Sequence, residues 1–132
     1  MQGVIESVNT ANNANRIVSF FDTRAQQVML VAINASVNIL NYLSPLTLNN
    51  LYLQTSQKSS TTLSGYLDGL LQGTLTDGNS YSNLNKFNIG KQSTGSVAYL
   101  TGHISENIIW NNSTQISNRA AIELNRSNYY GI

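Results

Sequence analysis

The sequence predicts a mainly α protein, in which two long helices rich in small residues pack as a hairpin or bundle around a middle segment of loops and a β-hairpin. Three observations predict it. Apolar residues recur at an unbroken spacing of three and four from residue 4 to residue 42, a shorter series of the same kind runs through 98–124, and Pro45 closes the first series. Together they define one domain over 1–132, with a helical arm at 4–43, a polar hairpin and loop insertion at 44–95, and a second helix at 96–126.

The first series is Val4, Ser7, Ala11, Ala14, Val18, Phe21, Ala25, Val28, Ala32, Ala35, Ile39 and Tyr42, of which only Ser7 is polar. Such spacing marks a helical seam, about 60 Å long as one straight helix. Five of the eight alanines lie on it. Small side chains let two backbones approach closely, so dispersion accumulates along the whole contact. The asparagines before Arg16 and the β-branched residues weaken a single uninterrupted helix, and Thr23 with Gln26 three later resembles a capping box, so a break near Asp22 stays open. Pro45 disfavours helical geometry at Ser44 and ends the arm. Beyond Met29 the apolar face widens to Leu30, Ile33, Val37, Leu40 and Leu43, which predicts cover on more than one side.

The middle is less regular. Leu46-Thr-Leu48 and Leu51-Tyr-Leu53 flank Asn49-Asn50 and read as a tight hairpin or as a short leucine-rich helix, the hairpin slightly favoured. Gly65, Gly69 and Gly73 fall four apart among leucines, which gives a glycine groove on a helix or simply marks loops. Asp77-Gly78 signals a turn, and 81–90 reads as strand or coil.

The second helix carries Ala98, Gly102, Ser105, Ile109, Ser113, Ile116, Ala120 and Leu124 on one face. Arg119, Glu123 and Arg126 crowd its end, and a pair of opposite charges four apart is a solvated-face feature of small energy. The residues expected to carry packing and assembly are Ala11, Ala14, Val18, Phe21, Ala25, Val28, Ala32, Ala35, Ile39, Ala98, Gly102, Ser105, Ile109, Ile116 and Ala120.

Composition narrows the function. Asn, Gln, Ser and Thr supply 54 of 132 residues, charged residues are 10%, and the formal net charge is +1. A surface so poor in charge has little mutual repulsion, which favours association of copies. At 41% hydrophobic the chain is too apolar to stay unfolded. Without cysteine there is no disulfide framework and no thiolate chemistry. The N-terminal residues lack a signal-peptide pattern, and 28–43 is broken by Asn34, Ser36, Asn38 and Asn41, so no membrane span is expected.

Catalytic constellations are missing from the sequence. His103 is the sole histidine and stands in no nucleophile motif, so the reading is not an enzyme. One histidine and six scattered acids offer no metal-ligand spacing, and the glycines fit no phosphate loop, so neither metal nor other cofactor is expected. The seven basic residues are dispersed, which argues against nucleic-acid recognition, and no small-molecule substrate is indicated. Trp110 beside Asn111 and Asn112, with Tyr129 and Tyr130, forms the aromatic and amide set of a sugar platform, although aromatics at a helix edge or subunit contact are the commoner case.

Two end segments, Glu6-Ser-Val-Asn-Thr-Ala-Asn12 and Gly95-Ser-Val97 through Gly102-His103 to Asn111-Asn112-Ser-Thr-Gln115, resemble the refractile-body (R-body) subunits of bacterial coiled ribbons. Those subunits lead a glycine and small-residue helix into an Asn/Gln-rich run, of whose several glutamines this chain keeps only Gln115, and residues 19–94 lie outside the resemblance. The resemblance implies a cytoplasmic ribbon subunit whose polymer changes shape with pH, with His103 as the candidate switch. The expectation is therefore a self-assembling structural subunit whose partners are copies of itself. It would be a cytoplasmic ribbon or, alternatively, a phage or virus coat or tail protein in the virion. The contrasting class is a monomeric glycan-binding module using Trp110.

Overall fold

The structure, a computed structural model, describes residues 2–8, 16–22, 27–34, 36–41, 50–78, 86–90, 104–110 and 113–132. Up to residue 41 it describes the course of the backbone. The chain is β-rich, not mainly α. The first four strands are β1 (Gln2–Val8), β2 (Arg16–Asp22), β3 (Gln27–Asn34) and β4 (Ser36–Asn41). Next come β5 (Gln54–Ser59), β6 (Thr62–Leu67), β7 (Leu70–Thr76) and β8 (Lys86–Ile89). A single 3-10 turn, Ser113–Gln115, and one helix, α1 (Arg119–Tyr130), complete the described elements.

The arm expected to be helical is a meander. β1 through β4 pair antiparallel in sequence order, and β8 adds to the far side of β1, giving the order β4-β3-β2-β1-β8. The physical reason is the side-chain type. These four strands hold ten β-branched aliphatic residues, among them Ile17, Val18, Val28, Val31, Ile33, Val37 and Ile39, and such residues fit a pleated surface better than a helix. Val28–Ile33 is a continuous apolar run, and a step of three or four lands on apolar residues there whatever the backbone does. The helix break left open near Asp22 does not arise, since the chain there is strand and Asp22 is the last residue of β2.

The second sheet has the order β5-β6-β7, antiparallel throughout. It absorbs the three glycines. Gly65 in β6 faces Gly73 in β7, while Gly69 occupies the turn between them, so the glycine groove on a helix is replaced by two strands and their hairpin. Leu67 pairs with Leu70 across Asp68 (φ +49) and Gly69 (φ +79). Two consecutive residues at positive φ are the requirement of the type I′ hairpin turn, which Asp-Gly satisfies. Of the three strands of this sheet, β6 is the best covered. Leu63 and Leu67 are buried on one face, and Ser64 is buried on the other. β4 lies beside β7 and, more thinly, β6.

Lys58 near the end of β5 clamps this sheet. Its ammonium lies 3.4 Å from Asp77 Oδ2 and donates to the backbone carbonyls of Asp77 (2.9 Å) and Ser60 (3.0 Å), while the Asp77 amide donates to the Thr61 carbonyl (2.7 Å). Asp77, part of the Asp-Gly turn signal in the sequence, is 1% exposed.

The expected hairpin at 46–53 falls partly outside the described residues. Its described part, 50–53, is not strand, and β5 begins at Gln54. The expected second helix at 96–126 is also corrected. Residues 104–110 carry no regular structure, and the helix covers Arg119–Tyr130 instead. It ends where Gly131 takes the left-handed conformation (φ +73) and donates to the Ser127 carbonyl, the usual glycine stop.

Candidate functional site

The described residues that converge most are at the β6–β7 turn and helix α1. A stripe at spacing four, three, four runs along the helix: Arg119, Glu123, Arg126 and Tyr130. Each is buried or partly so. Arg119 pairs through Nη1 with Glu123 Oε2 and lays its guanidinium 3.7 Å from the centre of the Tyr66 ring. Arg126 makes a forked contact with Glu106, at 3.1 and 3.2 Å. The Tyr130 hydroxyl is held above the ordinary phenol range, first by partial desolvation and then by the Glu106 carboxylate, which accepts its hydrogen bond.

A cleft of about 220 Å³ opens between the turn and the helix, lined by Asp68, Gly69, Ala120, Glu123, Leu124 and Ser127. Asp68 is fixed by its own role in the turn, where Oδ1 accepts from the Leu53 amide at 2.7 Å and the Asp68 amide donates to the Leu53 carbonyl at 2.8 Å. Apolar side chains stand exposed on the helix wall of the cleft and at the start of β7. Leu70 is 70% exposed, Leu71 56% and Leu124 62%.

The Arg119–Glu123 pair expected on a solvated face does form, but Glu123 is 5% exposed. The sheet places Tyr66 under Arg119 and removes the carboxylate from water. Sequence reasoning missed Asp68, Gly69 and Tyr66 as a unit. The Asp-Gly dipeptide between two leucine-rich runs was the signal that marked the hairpin.

The predicted packing residues are scattered over different elements. Val18 and Phe21 are in β2, Val28 and Ala32 in β3, and Ile39 in β4. Ser105 and Ile109 lie in the non-helical segment, Ile116 in the turn before α1, and Ala120 in α1 at the cleft. Ala11, Ala14, Ala25, Ala35, Ala98, Gly102 and His103 fall outside the described residues, and so do Asn111 and Asn112. Trp110 is half exposed beside exposed Ile108 and Ile109, and Tyr129 and Tyr130 meet edge to face at 4.9 Å. Among the described residues no three His, Asp or Glu side chains gather as a metal site, and no helix is long and apolar enough to cross a membrane.

Two antiparallel sheets with a terminal helix define the class of architecture. No family model matches the sequence, and no curated protein matches it. The fold is similar to that of an S-layer domain-containing protein from Clostridium thermocellum, with a TM-score of 0.52 at 15% identity. That likeness covers 92% of this chain and 62% of the other, so the chain spans less than two thirds of its structural neighbour.

Proposed function

We propose that this chain is a structural module that associates with copies of itself. The observation that carries the reading is exposed apolar side chains near the β6–β7 turn and on α1, where Leu70, Leu71 and Leu124 each expose more than half of their surface. Isolated exposed leucines are ordinary, but Leu124 lines the cleft and Leu70 directly follows Gly69, which lines it too, so large apolar side chains stand exposed close to one site, as associating proteins leave them. With a net charge of +1 and 10% charged residues, little repulsion opposes contact between copies. The structural neighbour's description as an S-layer domain-containing protein is in keeping with a building-block role. The reading does not depend on the ribbon-subunit resemblance, whose two segments run through strand β1 and through the non-helical 104–110.

Sedimentation velocity from low to high micromolar concentration tests it. Association that rises with concentration and is lost in the double variant Leu70→Gln/Leu124→Gln supports the reading. A single-chain mass at every concentration overturns it. In that case binding to a glycan array that disappears with Trp110→Ala would favour the sugar-binding alternative, since Trp110 is 45% exposed.

A further inference from the structure

Helix α1 is built inside out. A docked helix normally turns an apolar stripe to the protein and a charged one to water. Here the single buried residue of the helix is Glu123, the inward stripe is Arg119, Glu123, Arg126 and Tyr130, and Leu124 and Tyr129 are 62% and 75% exposed. Ile122 is only half buried. The buried Glu123 Oε1 and Arg126 Nε have no hydrogen-bond partner, which costs free energy in the docked state. At the N-terminus, Asn118 makes no side-chain cap and bonds Gln115 instead. What holds the helix is therefore mostly electrostatic: Arg119 on the Tyr66 ring, and Arg126 on Glu106.

Alternate residues of β6 point to opposite faces of the sheet. Tyr66 shares its face with Ser64, while Leu63 and Leu67 lie on the other. The helix thus straps the Tyr66 face and leaves the buried leucines to the rest of the fold. From this we infer that α1 is a releasable strap, docked by the charges of Arg119 and Arg126 and released without unfolding the β5-β6-β7 sheet. Release would bare Tyr66 and hydrate Glu123. A 12-residue helix is marginal in water by itself, so undocking and melting coincide, and amide exchange in the helix reports release directly.

The test is hydrogen exchange of the full chain, read separately over 123–130 and over 63–67. Raising salt to about 1 M cuts the screening length to ~3 Å. Exchange in 123–130 is expected to quicken about tenfold while 63–67 stays protected. Arg119→Ala at low salt should act in the same way, whereas Leu124→Gln, on the outward side, should not. Exchange that leaves the helix unmoved by salt, or that loosens helix and strands together, overturns the proposal. If Arg119→Ala unfolds the chain by circular dichroism, the native protein's salt response and Arg126→Ala decide it. The strap is independent of self-association: Leu124→Gln is expected to disturb association and leave helix exchange alone.

Discussion

Lys58 and Asp77 make an asymmetric pair, and the asymmetry has a measurable consequence. The Asp77 side chain is fully buried, while that of Lys58 keeps 21% of its surface in water. At 3.4 Å, with an effective dielectric of ~20, the attraction is about 5 kcal/mol before desolvation is subtracted. Lys58→Met takes away the ammonium that faces the buried Asp77 carboxylate, and losing one partner of a buried pair costs ~3 kcal/mol or more. Asp77→Asn leaves an ammonium that still donates to the carbonyls of Ser60 and Asp77 and still reaches solvent. Its cost should be nearer 1–2 kcal/mol. Lys58→Met/Asp77→Leu removes both charges and should recover most of the loss of Lys58→Met. Urea unfolding gives all three values, provided the slope with denaturant is unchanged. If Asp77→Asn costs as much as Lys58→Met, or both cost under ~0.5 kcal/mol, the clamp is not holding the sheet.

Other outcomes follow from single positions. Gly69→Ala should destabilise by about 1–2 kcal/mol in the same urea experiment. The added Cβ would meet Glu123 Oε2 at 3.9 Å, an ordinary contact, so the cost is conformational, from φ +79. Asp68→Ala should also destabilise, by about 1–2 kcal/mol, through loss of the acceptor for the Leu53 amide. Absorbance titration should find a tyrosine that ionises above the ordinary phenol range, a component absent in Tyr130→Phe and lowered in Glu106→Gln. Because the folded state holds that proton more tightly than the unfolded one, its contribution to stability is complete below the ordinary phenol value. It is lost as pH rises from there through the folded value.

The seam from Val4 to Tyr42 shows how a period misleads. Where six apolar residues stand together, as in Val28–Ile33, periodicity carries no information, and the β-branched content of 16–41 was the better guide. Read that way, the ends of β1 at Val8 and β2 at Asp22, and the starts of β2 at Arg16 and β3 at Gln27, were legible from the asparagines at 9–15 and the polar 23–26 in the sequence. Asp68-Gly69 was equally legible as a type I′ hairpin, and Gly131 as a helix stop, which moves the helix from 96–126 to Arg119–Tyr130. The site itself was not. Lys58 and Asp77 lie 19 residues apart, and Arg126 and Glu106 lie 20 apart, so no local spacing announces either pair. Arg119 and Glu123 did announce themselves, but only as a pair four apart. Whether such a pair is a solvated ornament or a dock depends on Tyr66 arriving beneath it, which the β5-β6-β7 pairing decides. The charges of α1 therefore acquire their role from the sheet. A helix whose propensity and cap are modest, and whose buried residue is a carboxylate, keeps its place only while that sheet holds the ring under the guanidinium.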